Sequence, residues 1–227
     1  MSDFRFRARQ ITLLLLWVGF IIYATAFAPA AQPNTLEMLQ ALVLGQWSEI
    51  NPLIVALFNV MGLWPVIYAA IALVDGRTQS FPAWPFVVLS FGLGAFALLP
   101  YLALRQPYQR EESQGTAPSS KLDGWVKRLE ARWVGISVLV MALGLILFGF
   151  ISGSWSEFVL EWQTDRFIHI MSLDFCALSL LFPCLLGDDI KRRETAPWPL
   201  GVLALLPLIG PAIYLTVRPP LLDKARS

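Results

Sequence analysis

The sequence is poor in charged side chains. Only 15% of its 227 residues are charged, against 56% that are hydrophobic, and the formal net charge is +1. A soluble domain of this size usually has about a quarter of its residues charged. A chain with so little charge cannot cover its surface with water-binding groups, so the composition predicts a membrane protein. The scattered basic residues give no basis for binding nucleic acid.

Scarce histidine and cysteine limit the chemistry of the chain. His169 is the only histidine, so one chain cannot supply both ligands of a bis-histidine haem, and a closed zinc site needs about four ligands. Cys176 and Cys184 are eight residues apart on one predicted helix. That spacing separates them by roughly 12 Å, too far for a disulfide. The common nucleotide-binding and catalytic patterns are missing as well. We therefore expect no metal site, no catalytic residue and no cofactor other than a pigment or lipid.

Six apolar runs predict an all-α bundle of six transmembrane helices, because each run has about the 20 residues that a bilayer requires. Two shorter segments, residues 34–47 and 153–164, have the apolar face of helices that lie in the membrane interface. The first run also fits a signal peptide, although its length and Pro29 favour a transmembrane helix. The six runs lie near residues 10–30, 51–74, 82–104, 131–151, 165–187 and 197–217.

A polar segment, residues 106–131, divides the chain into two units of three runs each. The units are residues 1–105 and 132–220, and a basic tail, residues 221–227, follows the second. The centre of the polar segment is rich in Ser, Gly and Pro, which is typical of a flexible linker.

Three short patterns recur in both units in the same order. Three membrane crossings per unit would turn the second copy upside down, as in many transporters. The sequence therefore predicts a 3+3 inverted repeat, which places Arg77 and Arg105 on opposite sides of the membrane. The patterns are Gly-x-Trp-Ser-Glu at 45–49 and 153–157, Trp-Pro at 84–85 and 198–199, and Tyr-Leu-x-x-Arg-x-Pro at 101–107 and 214–220.

The fifth run contains the candidate polar site. Asp165, His169 and Ser172 fall on one stripe of a helix, together with Cys176. Asp174 points elsewhere, and it is the one acidic residue well inside an apolar run. An ionisable residue there is costly, so we expect Asp174 to face the bundle interior and to have a polar partner on another helix.

Several roles are open for these residues. Asn51 and Asn59 on the second run are the expected partners, since buried amides join helices in membranes. His169 and Asp174 fit hydrogen bonds that fix helix packing, a proton or substrate role, or ligation of a pigment or metal. The pair Asp188–Asp189 fits Mg²⁺ on a diphosphate, but beside three basic residues it is more typical of a solvated loop.

Three segments, residues 51–76, 81–107 and 164–183, resemble uncharacterised multi-span membrane proteins of cyanobacteria and plastids. The resemblance covers most of the chain outside the linker. It implies a photosynthetic membrane as the location, and it carries over no functional residues.

We therefore expect a multi-pass protein of a thylakoid or bacterial inner membrane, in contact with lipid and with other membrane subunits. The leading interpretation is an assembly, stabilisation or pigment-handling factor without catalytic activity. The alternatives are a small inverted-repeat transporter and a membrane enzyme that acts on a lipid or isoprenoid.

Overall fold

The structure is a computed structural model that describes residues 2–108, 124–195, 202–203 and 206–221. Within these ranges every regular element is a helix and there is no β-strand, which confirms the all-α part of the predicted fold class. The helices are α1 (Ser2–Ile22, continued by a π-helical turn, Tyr23–Phe27), α2 (Thr35–Leu44), α3 (Pro52–Asp75), α4 (Trp84–Leu93), α5 (Ala95–Leu104), α6 (Gly124–Leu129), α7 (Arg132–Ser152), α8 (Trp155–Thr164), α9 (Arg166–Leu181), α10 (Pro183–Arg192) and α11 (Ile209–Val217).

Long apolar helices confirm that the chain has the make-up of a membrane protein. Four stretches of the described chain are long and apolar enough to cross a bilayer: Phe6–Phe27, Pro52–Thr78, Arg132–Ser152 and Arg166–Arg192. They correspond to the first, second, fourth and fifth predicted runs. Helices α2 and α8 form where short interfacial helices were predicted, while their position in an interface stays a prediction.

Helix α3 is the centre of the bundle. Helix α3 is apolar on all its faces, and Trp64, Ile67 and Tyr68 have no exposed surface. A helix that is hydrophobic all round is stable only where other helices cover it. Helices α4, α7, α9 and α10 pack around α3, whereas α1 and α7 keep many large apolar side chains exposed, including Leu15 and Ile151.

The third predicted run does not cross the bundle, so the prediction of six spans is wrong at this run. Helix α4 ends at Leu93, Gly94 takes a φ of 49° and a ψ of −126°, and α5 returns beside α4. The Phe86 ring lies 5.7 Å from the Tyr101 ring, and Gln79 exchanges hydrogen bonds of 3.0 and 2.7 Å with the backbone of Gln106. The run is therefore a helical hairpin with both ends at one end of the bundle.

Helix α1 fixes the direction of this hairpin. The indole nitrogen of Trp17 donates to the carbonyl of Phe96 at 2.9 Å, and Arg9 donates to the carbonyl of Arg105 at 3.0 Å. The start of α5 thus lies beside the middle of α1, and its end lies beside the start of α1. Each ten-residue arm is about 15 Å long, which is half the thickness of a bilayer core.

The bundle has two chemically different ends. We call the end that contains Asp75, Arg105 and Asp189 the charged end, and the end that contains the two Trp-Ser-Glu patterns the tryptophan end. The Asn51 amide, next to the first pattern, donates to the carbonyl of Ser154, next to the second, at 2.7 Å. Both patterns therefore lie at the same end, and the predicted inverted arrangement of the two units is wrong. Its physical cause is the hairpin, which leaves residues 1–105 with two crossing helices instead of three.

The sixth predicted run lies partly outside the described residues, which lack 196–201 and 204–205. Its described part, α11, begins after Leu208, which has a φ of 60°. A Cβ on Gly135, near the start of α7, would touch the backbone of Leu215 and Thr216 at the end of α11, so α11 runs antiparallel to α7. Helix α11 thus also ends at the charged end. Helix α6 lies within the predicted linker, residues 106–131. Residues 109–123 of this linker are outside the described ranges. The boundaries of the two units stay predictions.

Candidate functional site

A cavity of about 580 Å³ lies beyond the tip of the α4–α5 hairpin. It exists because the hairpin arms are about 15 Å long, whereas the 24 residues of α3 extend over about 36 Å. The space between the hairpin tip and the tryptophan end is therefore left open. Helices α3 and α9 and the π-helical end of α1 surround it. We call it the hairpin cavity.

Most of the wall of the hairpin cavity is apolar. Four phenylalanines and two methionines form it: Phe58, Phe91, Phe96, Phe167, Met61 and Met171. A few polar side chains interrupt this surface, among them Asn59, Ser90 and Asp174. A cavity of this size with an apolar lining and a few placed polar groups is the usual form of a small-molecule site.

Asp174 holds the tip of the hairpin. Its Oδ1 accepts a hydrogen bond of 2.7 Å from the backbone N–H of Ala95, the first residue of α5. The first N–H groups of a helix have no partner within the helix and carry a partial positive charge, so a carboxylate is favourable there. A Cβ on residue 94 would overlap Oδ2 of the same carboxylate, so only glycine fits at the tip. The expected polar partner of Asp174 is thus on another helix, but it belongs to the third run and not to the second.

His169 does not reach this cavity. Its Nδ1 lies 2.8 Å from the carbonyl oxygen of Trp162, and its Nε2 lies 2.8 Å from the Tyr23 hydroxyl. Because a carbonyl only accepts, Nδ1 carries the proton and Nε2 accepts from Tyr23. The imidazole also stacks on the Trp162 indole, with 4.7 Å between ring centres. This geometry matches the predicted packing role, since both ring nitrogens are used.

Replacing His169 by phenylalanine is expected to lower the free energy of unfolding by about 1–3 kcal/mol, because the Tyr23 hydroxyl and the Trp162 carbonyl lose their partner. Thermal unfolding in detergent measures the loss. Ser179→Ala is the control, since its hydroxyl bonds only to the carbonyl of Phe175 one turn back. A His169→Phe protein with the thermal stability of the parent would contradict the assigned role.

The other predicted site residues have structural roles. Asp165 caps α9 through the N–H of Ile168 at 3.0 Å and accepts from Thr35 at 3.1 Å. Asn51 caps α3 through the N–H of Leu53 at 3.0 Å. The Ser172 hydroxyl donates to the carbonyl of Ile168, on its own helix. Of the six predicted residues, only Asn59 and Asp174 line the hairpin cavity.

A second cavity, of about 620 Å³, lies at the tryptophan end between α2 and α8. Glu37, Glu49, Glu161 and Asp165 line it. Burial, and next the negative charge of Asp165, raises the pKa of Glu161. In the part of the chain that the structure describes, no three His, Cys, Asp or Glu side chains lie close enough together to hold a metal ion.

The charged end contains a buried ionic network that the sequence analysis missed. Asp75 accepts from Arg105 in two hydrogen bonds of 2.7 Å, from Tyr101 at 2.5 Å, and from Arg192. Arg105 also pairs with Asp188 at 2.6 Å. Burial alone would lower the pKa of Arg105, but the hydrogen bonds to Asp75 raise it, so the residue stays a cation.

A second group of the same kind surrounds Asp189. It accepts from Tyr214 at 2.6 Å and from Arg193 at 2.9 Å, and Arg218 lies 3.5 Å away. Glu130 pairs with both of these arginines at 2.9 Å. Asp188 and Asp189 are thus ion-paired inside the bundle and do not form a solvated loop or an open diphosphate site. The signal was in the repeated Tyr-Leu-x-x-Arg-x-Pro pattern, whose tyrosine and arginine bind one aspartate in each unit.

No family model, curated protein or solved structure matches this chain.

Proposed function

We propose that this chain is a multi-pass protein of a photosynthetic membrane that holds a membrane-soluble molecule, such as a pigment or lipid, in the hairpin cavity and catalyses no reaction. The observation that carries the proposal is the apolar cavity with Asp174 and Asn59 on its wall. The photosynthetic location rests on the resemblance of three sequence segments described above.

The proposed arrangement is two crossing helices in each unit, α1 with α3 and α7 with the α9–α10 pair, and in the first unit the hairpin follows them. Both units would then have the same orientation, as parallel repeats related by an axis along the membrane normal. The matching Asp75–Tyr101–Arg105 and Asp189–Tyr214–Arg218 groups at one end support this arrangement.

The separation of the reactive side chains favours a binding role over an enzyme. A membrane enzyme would gather His169, Asp174 or Asp188 around one cavity. Asp174 lines the hairpin cavity, His169 spends both ring nitrogens on Trp162 and Tyr23, and Asp188 is ion-paired at the charged end. Among the described residues that line the hairpin cavity, Asp174 is the only one with a carboxylate, so no pair of carboxylates faces this cavity.

Filling the cavity tests the proposal. Gly62 lies on α3 at the cavity wall, and a Cβ there meets no atom within 4 Å. Gly62→Leu should therefore fold and should place its side chain where the ligand lies. We expect at least a fivefold lower yield of co-purified pigment or lipid, measured by solvent extraction of the detergent-purified protein and mass spectrometry.

Gly144→Leu is the matched control. Gly144 is also a helical glycine with open space around its Cβ, but it lies on α7, away from the cavity. This variant should retain the bound molecule. Equal ligand content in the two variants and the parent, or no specific ligand in the parent, would overturn the proposed function.

A transporter is the second candidate. The tip of the hairpin lies about halfway along the bundle, so the hairpin fills only half of the bundle's length and leaves the hairpin cavity in the other half. A transporter would move a solute across a sealed proteoliposome, whereas a holding protein would bind its ligand without net movement. Uptake that Gly62→Leu abolishes and Gly144→Leu preserves would favour the transporter.

A further inference from the structure

We infer that the molecule held in the hairpin cavity has a hydrogen-bond-donating head, a hydroxyl or an ammonium group on an apolar chain, and that this head binds Oδ2 of Asp174. The inference rests on the proposed function and adds the chemical class of the ligand. It depends on three features of the cavity wall, namely the free oxygen of Asp174, the hydrogen bonds of the neighbouring polar side chains, and the positive charge of Arg166.

The first feature is the unused oxygen of Asp174. Oδ1 is occupied by the N–H of Ala95, while Oδ2 has no hydrogen-bond donor among the described residues. Asp174 is only 6% exposed, and it lines the cavity. No arginine or lysine in the described ranges forms an ion pair with it. A carboxylate oxygen in apolar surroundings without a donor is costly, and a bound donor removes that cost.

The second feature is that the neighbouring polar groups also present acceptors. The hydroxyl of Ser90 spends its only hydrogen on the carbonyl of Val87 at 2.7 Å. The amide nitrogen of Asn59 donates one of its two hydrogens to the carbonyl of Val55 at 2.8 Å, and its amide oxygen has no donor among the described residues. The inner end of the cavity therefore offers oxygen acceptors, and its complement is a donor.

The third feature is a positive charge at the opposite end of the cavity. Arg166, the first residue of α9, lines the cavity near the tryptophan end, where its Nε donates to the carbonyl of Pro29 at 2.8 Å. Eight residues of helix separate Arg166 from Asp174, which corresponds to about 12 Å. A cationic head would be repelled by Arg166 and attracted by Asp174, so the head lies at Asp174 and the apolar chain extends along the phenylalanines.

Competition among three head groups tests the inference. The protein is reconstituted in lipid nanodiscs and labelled with a diazirine-bearing hexadecanol, and mass spectrometry locates the modified residues. Unlabelled hexadecan-1-ol, hexadecylamine and hexadecyl methyl ether then compete for the site. The ether has the same chain without a donor. We expect the alcohol and the amine to compete at least about tenfold better than the ether, because the ether cannot donate a hydrogen bond to Oδ2 of Asp174.

Asp174→Asn separates the ligand role from the structural role. The new side chain still accepts from Ala95 through its oxygen, so the hairpin tip stays capped, but its second group becomes a donor. We expect thermal stability within a few degrees of the parent and no preference for the alcohol over the ether. Asn59→Val provides a second variant, because the Asn59 side chain bonds only within its own helix. It should reduce the preference by a smaller factor and leave folding intact.

The outcomes distinguish the inference from the proposed function. If labelling maps to the cavity and Gly62→Leu abolishes it, but the ether competes as well as the alcohol, the inference is wrong and the function stands. If Asp174→Asn keeps the parent's preference for the alcohol, the inference is also wrong, whatever Asn59→Val does. If labelling avoids the cavity, or Gly62→Leu labels like the parent, the proposed function fails as well.

Discussion

Replacing Arg105 by leucine is expected to destabilise the protein by about 3–5 kcal/mol, because it leaves Asp75 and Asp188 buried without their main cation. Arg105 and Asp75 have no exposed side-chain surface, and their ion pair is 2.7 Å long. The variant should show a large fall in folded yield and in the temperature of thermal unfolding in detergent.

Lys191→Ala is the control for Arg105→Leu. Lys191 pairs with the same Asp188 at 3.4 Å, but its side chain is 64% exposed. Exposed pairs contribute only about 0–1 kcal/mol, so this change should be nearly silent. A double variant, Arg105→Leu with Asp75→Asn, should lose less stability than the two single changes together, because neither member of this pair is left buried without the other, although Asp188 and Arg192 each lose one partner. Arg105→Leu protein with the parent's stability would contradict the ionic network at the charged end.

Gly94→Ala is the second change with a large expected effect. Gly94 has a φ of 49°, and a Cβ there would overlap the Asp174 carboxylate that holds α5. Alanine must either displace Asp174 or open the turn, and both outcomes uncap the first N–H of α5 in apolar surroundings. We expect a loss of at least about 3 kcal/mol, from backbone strain and a stranded N–H group.

Gly92→Ala is the matched control, two residues earlier on the same hairpin. A Cβ on Gly92 meets no atom within 4 Å, so alanine should be neutral or slightly stabilising. Combining Gly94→Ala with Asp174→Ala relieves the overlap but not the strain at residue 94, so the double variant should stay destabilised. Equal unfolding temperatures for Gly92→Ala and Gly94→Ala would show that the turn at residue 94 does not require glycine.

The sequence was sufficient to predict the helical class and the central helix. The second apolar run predicts a helix at residues 51–74, and α3 covers Pro52–Asp75. Composition determines such features directly, because a long uncharged run can satisfy its backbone groups in a membrane only as a helix. The interior position of Asp174 is predictable from the free-energy cost of exposing a carboxyl group to lipid, and the structure agrees with it.

The hairpin was not predictable from hydropathy. Residues 82–104 contain no charged side chain, and a continuous apolar run of this length is the pattern of a single span. The turn depends on a cap that lies 79 residues later in the chain, where Asp174 accepts from Ala95. Gly94 could be recognised as a small residue at a helix contact, but its left-handed conformation is set by the tertiary structure.

The error at the hairpin also hid the ionic network. Six crossings place the ends of the second and third runs on opposite sides of the membrane, where Asp75 and Arg105 cannot meet. Once the third run turns back, both residues lie at the charged end and pair. The count of crossings therefore decides which charges can be partners, and one wrong span changes every assignment after it.

The most direct test of this account asks whether Gln106 lies on the same side of the membrane as residue 80 or on the side of residue 48. Cys176 and Cys184 are first replaced by alanine, and single cysteines are introduced as Ser48→Cys, Ser80→Cys, Gln106→Cys and Ser156→Cys, all at exposed positions. A membrane-impermeant maleimide is then added from each side. The account predicts that Ser80→Cys and Gln106→Cys react from one side, and that Ser48→Cys and Ser156→Cys react from the other. Reaction of Gln106→Cys together with Ser48→Cys would show that the third run crosses the membrane, and it would contradict the hairpin, its cap by Asp174 and the cavity beyond it.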